Sequence, residues 1–414
     1  KTLTSAAVIR LFLRSGNANR VLFLVDRIEL ENQAKKNFQN YLAPDYHTVI
    51  FKENVDDWRK AEVVVSTVQT LMFNNKYKRF FKPTDFSLII ADESHRSING
   101  NSRAVFEYFL GYKLGLTATP KDYIKNIDVE RLKATDPRAW EKRQLLDSYK
   151  TFGCESGDPT YRYSLLDGVR DGYLINPTVV DARTDITTKL LADEGYAVIS
   201  QGDEADEEQE ETYFARDFEK KFFSEETNKM FVKTFMDNAL RDPITGEIGK
   251  GIIFCVSRKH AAKITQLLNV YADMMFPGKY CSDFAMQITS DVMNAQTYTI
   301  NFQNNNLSGT TSFLEGYKSS KTRICVTVGQ EVKAGQVIAY VGHTGPIFSP
   351  TDFIQIKGRG TRKHDFIFKE RNGGQEIVHE YPKETFKLFD FFGNCEYFEE
   401  KFDYDEVLKL PRFQ

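Results

Sequence analysis

The chain has 414 residues, of which 41% are hydrophobic and 27% charged, with a formal net charge of −3 at pH 7. That length suits two or three domains, the composition is that of a soluble globular protein, and the balanced charge excludes a global basic field, so any nucleic-acid contact must come from local patches. The five cysteines (Cys154, Cys255, Cys281, Cys325 and Cys395) form no CxxC pair, which argues against a zinc site or disulfide framework and for a reducing, cytoplasmic setting; no signal peptide or membrane-spanning run is evident.

Lys1-Thr2-Leu3-Thr4 leads into an apolar helical pattern of Ala6, Ala7, Ile9, Leu11, Phe12 and Leu13. A glycine-rich phosphate loop ends in Gly-Lys-Thr at such a helix start, although a Lys-Thr pair by itself favours an ordinary helix N-terminus. Residues 21–25 (VLFLV) read as a strand, after which Asp26 caps a helix with Glu29 as its capping-box partner. Residues 63–65 form a second strand running into Ser66-Thr67, residues 88–91 a third, and residues 113–116 a fourth that enters Thr117-Ala118-Thr119-Pro120. Short apolar strands alternating with amphipathic stretches predict a parallel sheet with crossover helices.

Asp92-Glu93-Ser94-His95 follows the apolar run Leu88-Ile89-Ile90-Ala91. Two acids at the C-terminal tip of a buried parallel strand stand where α/β sheets bind ligands. Asp92 there suits a Mg²⁺ bridging nucleotide phosphates, and Glu93 suits orienting or deprotonating an attacking water. The plainer alternative is a solvated strand end.

Residues 121–175 are charged, aromatic and mostly helical in pattern, and 201–211 form an acidic, solvated stretch. Alternation resumes at 251–256, with Ser257 as a helix cap, and 322–328 is another strand. Ser349-Pro350-Thr351-Asp352 reads as a helix start, placing Gln355, Arg359 and Arg362 on one helical face. An amide and two guanidiniums aimed together suit a triphosphate; a basic face meeting nucleic-acid backbone or water is the alternative. Gly358 and Gly360 tilt against a plain structural helix, where each costs about 1 kcal/mol.

Asp92-Glu93-Ser94-His95, Thr117-Ala118-Thr119 and Gln355-x-x-Gly358-Arg359-x-x-Arg362 resemble motifs II, III and VI of superfamily 2 helicases. Residues 21–33 (VLFLVDRIELENQ) and Ser66-Thr67-Val68-Gln69-Thr70 resemble motifs Ia and Ib. More narrowly, residues 27–33, 161–175 (YRYSLLDGVRDGYLI) and 346–364 (PIFSPTDFIQIKGRGTRKH) resemble the motor, or R, subunit of type I restriction enzymes. Asp203-Glu204-Ala205-Asp206 imitates a helicase box, but no apolar strand precedes it.

The resemblance implies an α/β fold of two RecA-like parallel-sheet domains with ATP and Mg²⁺ in the cleft between them and duplex DNA held across both. The expected division is a first domain at 1–175, a connecting segment at 176–245, a second domain at 246–385, and a tail or further domain at 386–414. Lys1 and Thr2 would end motif I, Lys1 on the β/γ phosphates and Thr2 on the metal with Asp92; Gln355 would also face the nucleotide. Arg359 and Arg362 would reach the phosphates from the second domain. Arg27, Ser66, Thr67, Thr117, Thr119 and Ser257 would contact DNA or couple it to the nucleotide. The implied partners are double-stranded DNA and the modification and specificity subunits of a restriction complex, and the nuclease domain is expected outside this chain.

The match departs after Thr327-Val328-Gly329, where the family's Thr-Thr-Gly-Tyr-Asp motif V is replaced by residues 330–345 (QEVKAGQVIAYVGHTG). Locally this resembles the strand–turn–strand of biotinyl/lipoyl carriers or of cell-wall zinc peptidases, yet it has no Met-Lys-Met, and His343 has no second His at ligand spacing. Its alternation around Lys333-Ala334-Gly335 predicts a β-hairpin. The departure and the truncated phosphate loop support one alternative to a DNA-translocating ATPase, a nucleotide- and DNA-binding scaffold without turnover; another helicase of the same superfamily, acting on RNA, is a third reading.

Overall fold

The computed structural model of the chain describes residues 1–26, 28–51, 57–94, 102–117, 148–154, 158–181, 224–289, 291–307, 310–314, 317–328, 338–343, 347, 350–372, 375–396 and 412–413. The chain divides into two compact units, Lys1–Arg162 and Tyr163–Gln414, so the first unit closes ahead of the expected 175.

In the first unit, strands β1 (Val21–Val25), β2 (Thr48–Ile50), β3 (Val63–Thr67), β4 (Leu88–Asp92) and β5 (Tyr112–Leu116) form one parallel sheet in the order β2-β3-β1-β4-β5. The three inner strands are apolar at nearly every position because both faces are covered. On one face Val21, Phe23 and Val25 pack with Ile9 of α1 (Thr2–Arg14) and Phe38 of α2 (Ile28–Leu42). On the other, Leu22 and Leu24 meet Leu71 of α3 (Val68–Met72) and an aromatic cluster of Trp58, Phe81, Phe86 and Phe109. Glu29 of the expected Asp26–Glu29 capping pair lies outside the described side chains, as does all of the acidic stretch at 201–211. Strand β2 escapes sequence reading because three residues carry no resolvable period.

The second unit holds a seven-stranded sheet in the order β16-β6-β15-β12-β7-β11-β8, every pairing parallel. Its strands are β6 (Pro177–Asp181), β7 (Lys250–Cys255), β8 (Ala285–Gln287), β11 (Ile324–Val328), β12 (Ile338–His343), β15 (Phe386–Asp390) and β16 (Arg412–Phe413). Two antiparallel hairpins stand apart from it, β9 (Thr310–Leu314) with β10 (Tyr317–Ser320) and β13 (Asp365–Asn372) with β14 (Gln375–Pro382). Helices Glu225–Asn238 and Arg258–Met275 cover one face through Phe231, Phe235, Ile264 and Leu268, and Phe302, Phe353 and Ile356 cover the other. Ser257 caps the second of these helices, its Oγ accepting the His260 N–H at 3.1 Å.

Three expectations change here. Residues 177–181, read as part of a connecting segment, are a strand paired to β15. Residues 386–390, read as the start of a tail, are an inner strand between β6 and β12; the aromatic, acid-rich composition behind them masked a short buried run. The return arm of the expected hairpin at 330–345 is β12, which lies parallel between β7 and β15 and is not paired with β11. Alternation alone cannot tell a hairpin arm from a parallel strand reached by a crossover. Residues 329–337 lie outside the described ones.

Lys250, at the start of β7, is buried, and its Nζ donates to the Phe302 carbonyl and to Asn305 Oδ1 (2.8 Å). Burial brings its pKa down to about 7. The folded value lies below that of an unfolded lysine, so the unfolded chain holds more protons above about pH 7 and unfolding free energy rises with pH there. Raising the pH from 7 to 9 is expected to stabilise this unit by up to ~1.4 kcal/mol per pH unit through this group. Denaturant melts of wild type and Lys250→Met across that range check it, the variant giving the shallower slope; equal slopes contradict the assignment.

Candidate nucleotide site

Because all five strands of the first sheet run the same way, the residues that follow them meet at one edge. The register fixes this: Val25 pairs Thr67, Leu24 pairs Ala91, and Asp92 pairs Leu116, with Thr117 next. This C-terminal edge is where parallel sheets bind ligands. Lys1 caps α1 from its N-terminal end, its carbonyl accepting the backbone N–H (2.8 Å) and hydroxyl (3.0 Å) of Ser5, and Thr2 is the first helical residue.

Lys1 Nζ is ion-paired to Glu93 Oε1 and lies 3.8 Å from Asp92 Oδ1. A cation at the mouth of a 13-residue helix therefore faces both acids at the tip of β4. Burial holds the Asp92 carboxyl above its ordinary range, and Lys1 opposes that rise. Glu93 sits at φ +49°, in the left-handed region, while its N–H bonds Asp92 Oδ1 at 3.0 Å. A non-glycine residue there costs on the order of 1–2 kcal/mol, and such strain collects at functional sites. No periodicity in the sequence signals that turn.

The donor set is hard oxygen chemistry. No cluster of three or more His, Cys, Asp or Glu with ligand geometry occurs among the described residues. One or two carboxylates beside a helix N-terminus fit Mg²⁺, which keeps waters and shares phosphate oxygens rather than occupying an all-protein cage.

The structure sorts the remaining expected residues unevenly. Ser66 and Thr67 stand at the same sheet edge but are buried, with their hydroxyls engaged locally: Ser66 Oγ donates to the Thr67 carbonyl (3.2 Å), and Thr67 Oγ1 accepts the Thr70 N–H (3.1 Å) to cap α3. Glu31, which sequence reading passed over, is fully buried in α2 and accepts the Thr67 N–H at 2.9 Å, tying the two motif segments together. A glutamate inside an amphipathic helix carries no mark of burial in sequence. Thr117 is partly buried at the end of β5; Arg27, His95 and Thr119 lie outside the described residues.

In the second unit, helix Pro350–Lys357 begins with Pro350 in its first turn, as expected, but ends before the arginines. Gln355 is helical, Arg359 lies in a turn closed by its N–H to the Ile356 carbonyl (3.1 Å), and Arg362 bridges Leu174. The three do not share a helical face. At Gly360 the missing side chain admits the Phe386 ring; a Cβ would run into it. Ile175 N–H donates to the Thr361 carbonyl at 2.8 Å, so the segments 161–175 and 346–364, which carry the narrower resemblance, meet in space.

Residues 1–122 match the family described as the res subunit of type III restriction enzymes. The EcoAI endonuclease subunit of a type I restriction enzyme from Escherichia coli is 28% identical over 97% of this chain and 44% of its own length. The EcoKI endonuclease subunit from Escherichia coli strain K12 is 23% identical over 94% of this chain and 31% of its own. The chain thus spans less than half the length of the curated relatives it matches. Among solved structures, a fragment assigned as the HsdR subunit of a type I restriction enzyme from Vibrio vulnificus YJ016 aligns with a TM-score of 0.53 at 22% identity, covering 94% of this chain and 55% of that one. That likeness supports the fold, in agreement with the α/β parallel-sheet class expected from sequence. Among the described residues, no helix is long and apolar enough to cross a membrane, and all five cysteines are free thiols.

Proposed function

We propose that this chain, a superfamily 2 helicase-type protein similar to the endonuclease subunits of type I restriction enzymes, is an ATP-driven motor that moves along double-stranded DNA within a restriction complex. The observation that carries the reading is the Lys1–Asp92–Glu93 cluster at the C-terminal edge of the first sheet. Lys1 holds the β/γ phosphates, aided by the N–H groups opening α1. Asp92 and the Thr2 hydroxyl would hold Mg²⁺, which would supply neutralisation of charge on the phosphates. Glu93 orients the attacking water and takes its proton. Arg359, Arg362 and Gln355 are the residues that the motif VI resemblance assigns to phosphate charge. Glu31 keeps the start of α3 fixed against α2, so the backbone there can follow DNA phosphates without reading sequence. Sequence recognition then falls to the specificity subunit, acting with the modification subunit.

The test is ATP turnover with no nucleic acid, with linear duplex DNA and with RNA. Stimulation by duplex DNA of about tenfold or more supports the motor. Stimulation by RNA alone replaces it with the RNA-helicase reading. A second reading, a nucleotide- and DNA-binding scaffold, is favoured by residues 330–345, which lack the motif V threonine pair and aspartate. Bound ATP and DNA with no turnover under any of these conditions would select it.

A further inference from the structure

The loop carrying Arg359 and Arg362 is gripped from a direction that no helicase motif contributes. Lys383 lies just after β14, at the neck of the β13–β14 hairpin, where its own N–H donates to the His364 carbonyl at 2.7 Å. Its side chain turns inward and is buried. Nζ donates to the Gly360 carbonyl at 2.7 Å and to the Arg362 carbonyl at 3.1 Å, bracketing Thr361. Thr361 Oγ1 in turn donates to the Gly358 carbonyl at 3.0 Å. Burial lowers the lysine's pKa to about 8, so an ammonium is kept at a desolvation cost, and two carbonyls are what offset it. A lysine needed only to close the hairpin neck would leave its charge in water, as long basic side chains ordinarily do.

We propose that Lys383 is a positioning residue for the arginine loop: by fixing the carbonyls of Gly360 and Arg362 it sets the directions in which Arg359 and Arg362 leave the backbone. The catalytic half of this statement rests on the motor reading above; the mechanical half does not. The Phe386 ring at Gly360 and the Ile175 N–H on Thr361 brace the loop on its other sides. Lys383 supplies a cationic tie, and it joins the loop to a hairpin whose strands span Asp365–Asn372 and Gln375–Pro382.

The experiment compares wild type with Lys383→Met in two readouts. The first is amide exchange of peptides covering 355–364 and 172–177, where the Gly358, Arg359 and Ile175 N–H groups bond within or to the loop. The second is ATP turnover with saturating duplex DNA. Exchange in both peptides is expected to quicken while that of β7 and β11 stays as in wild type, and kcat to fall roughly 10–100-fold with KM for ATP within about twofold. Unchanged exchange overturns the clasp whether or not the chain hydrolyses ATP. Faster exchange with kcat retained by an active protein overturns the positioning role. A wild type without turnover counts against the motor reading instead, and exchange alone then decides the clasp. Should Lys383→Met fail to fold, Lys383→Gln keeps a donor, and the same two readouts apply with smaller shifts expected; no shift in either overturns the proposal.

Discussion

Glu93→Gln is expected to abolish DNA-stimulated ATP turnover, a loss of roughly 10²–10⁴ in kcat, while leaving ATP binding in place. The side chain keeps its length and its place at φ +49°, which Gln occupies at the same cost as Glu. Only the ability to accept a proton and to pair with Lys1 is removed. Lys1 and Glu93 are each about 30% exposed in that pair (32% and 28%), so its loss costs at most ~1 kcal/mol of stability. Release of Lys1 from Glu93 leaves the ammonium free for phosphate, and nucleotide affinity should hold or rise slightly. Phosphate release and binding of a fluorescent ATP analogue separate the two effects. Turnover retained in the variant would remove Glu93 from the water-orienting role and return the acid pair to an electrostatic function.

How much of this was legible in the sequence depends on which physical signal each element carries. Strands β1, β3 and β4 are short apolar runs bounded by polar residues, and buried parallel strands look like that. Because the first sheet is parallel, reading those strands also fixed the edge where Asp92, Thr67 and Thr117 gather. The left-handed turn at Glu93 and the burial of Glu31 left no trace, since neither is a matter of pattern. In the second unit the reading was weaker. Strand β12 alternates like a hairpin arm, and β15 sits in an aromatic stretch that looks like a docking tail; both are placed by partners distant in sequence. The arginine segment shows the same limit from the other side. Its glycines argued against a plain helix, but that Gly360 makes room for Phe386, and that Lys383 ties the loop down, depends on contacts to residues more than a full hairpin away.

That geometry bears on how the arginines can act. Had the helix continued through Arg362, both guanidiniums would ride on a rigid rod and share its face with Gln355. Instead the helix stops at Lys357, and Arg359 is partly buried in a braced turn while Arg362 is exposed beside Leu174. The two are held at different points of one loop, so they are not interchangeable. Residue 359, nearer the helix end and partly buried, is the better candidate for stabilising charge that appears only in the transition state.

Arg359→Ala is therefore expected to lower kcat by roughly 10³–10⁵, the range for an arginine that meets transferring phosphate charge, with KM for ATP nearly unchanged. Arg359→Lys should recover little of it, because an ammonium is a point charge and cannot present the planar pair of donors that a phosphoryl group meets. Arg362→Ala, at the exposed position, should fall less. Loss of fold is not expected, since the ties on the backbone carbonyls of Gly360, Thr361 and Arg362 remain in the variant. Steady-state turnover at saturating ATP and duplex DNA, with single-turnover phosphate release alongside, reads the chemical step apart from product release. A rise in KM with kcat intact would instead make Arg359 a ground-state clamp on bound ATP, and the transition-state role would pass to Arg362 or to neither.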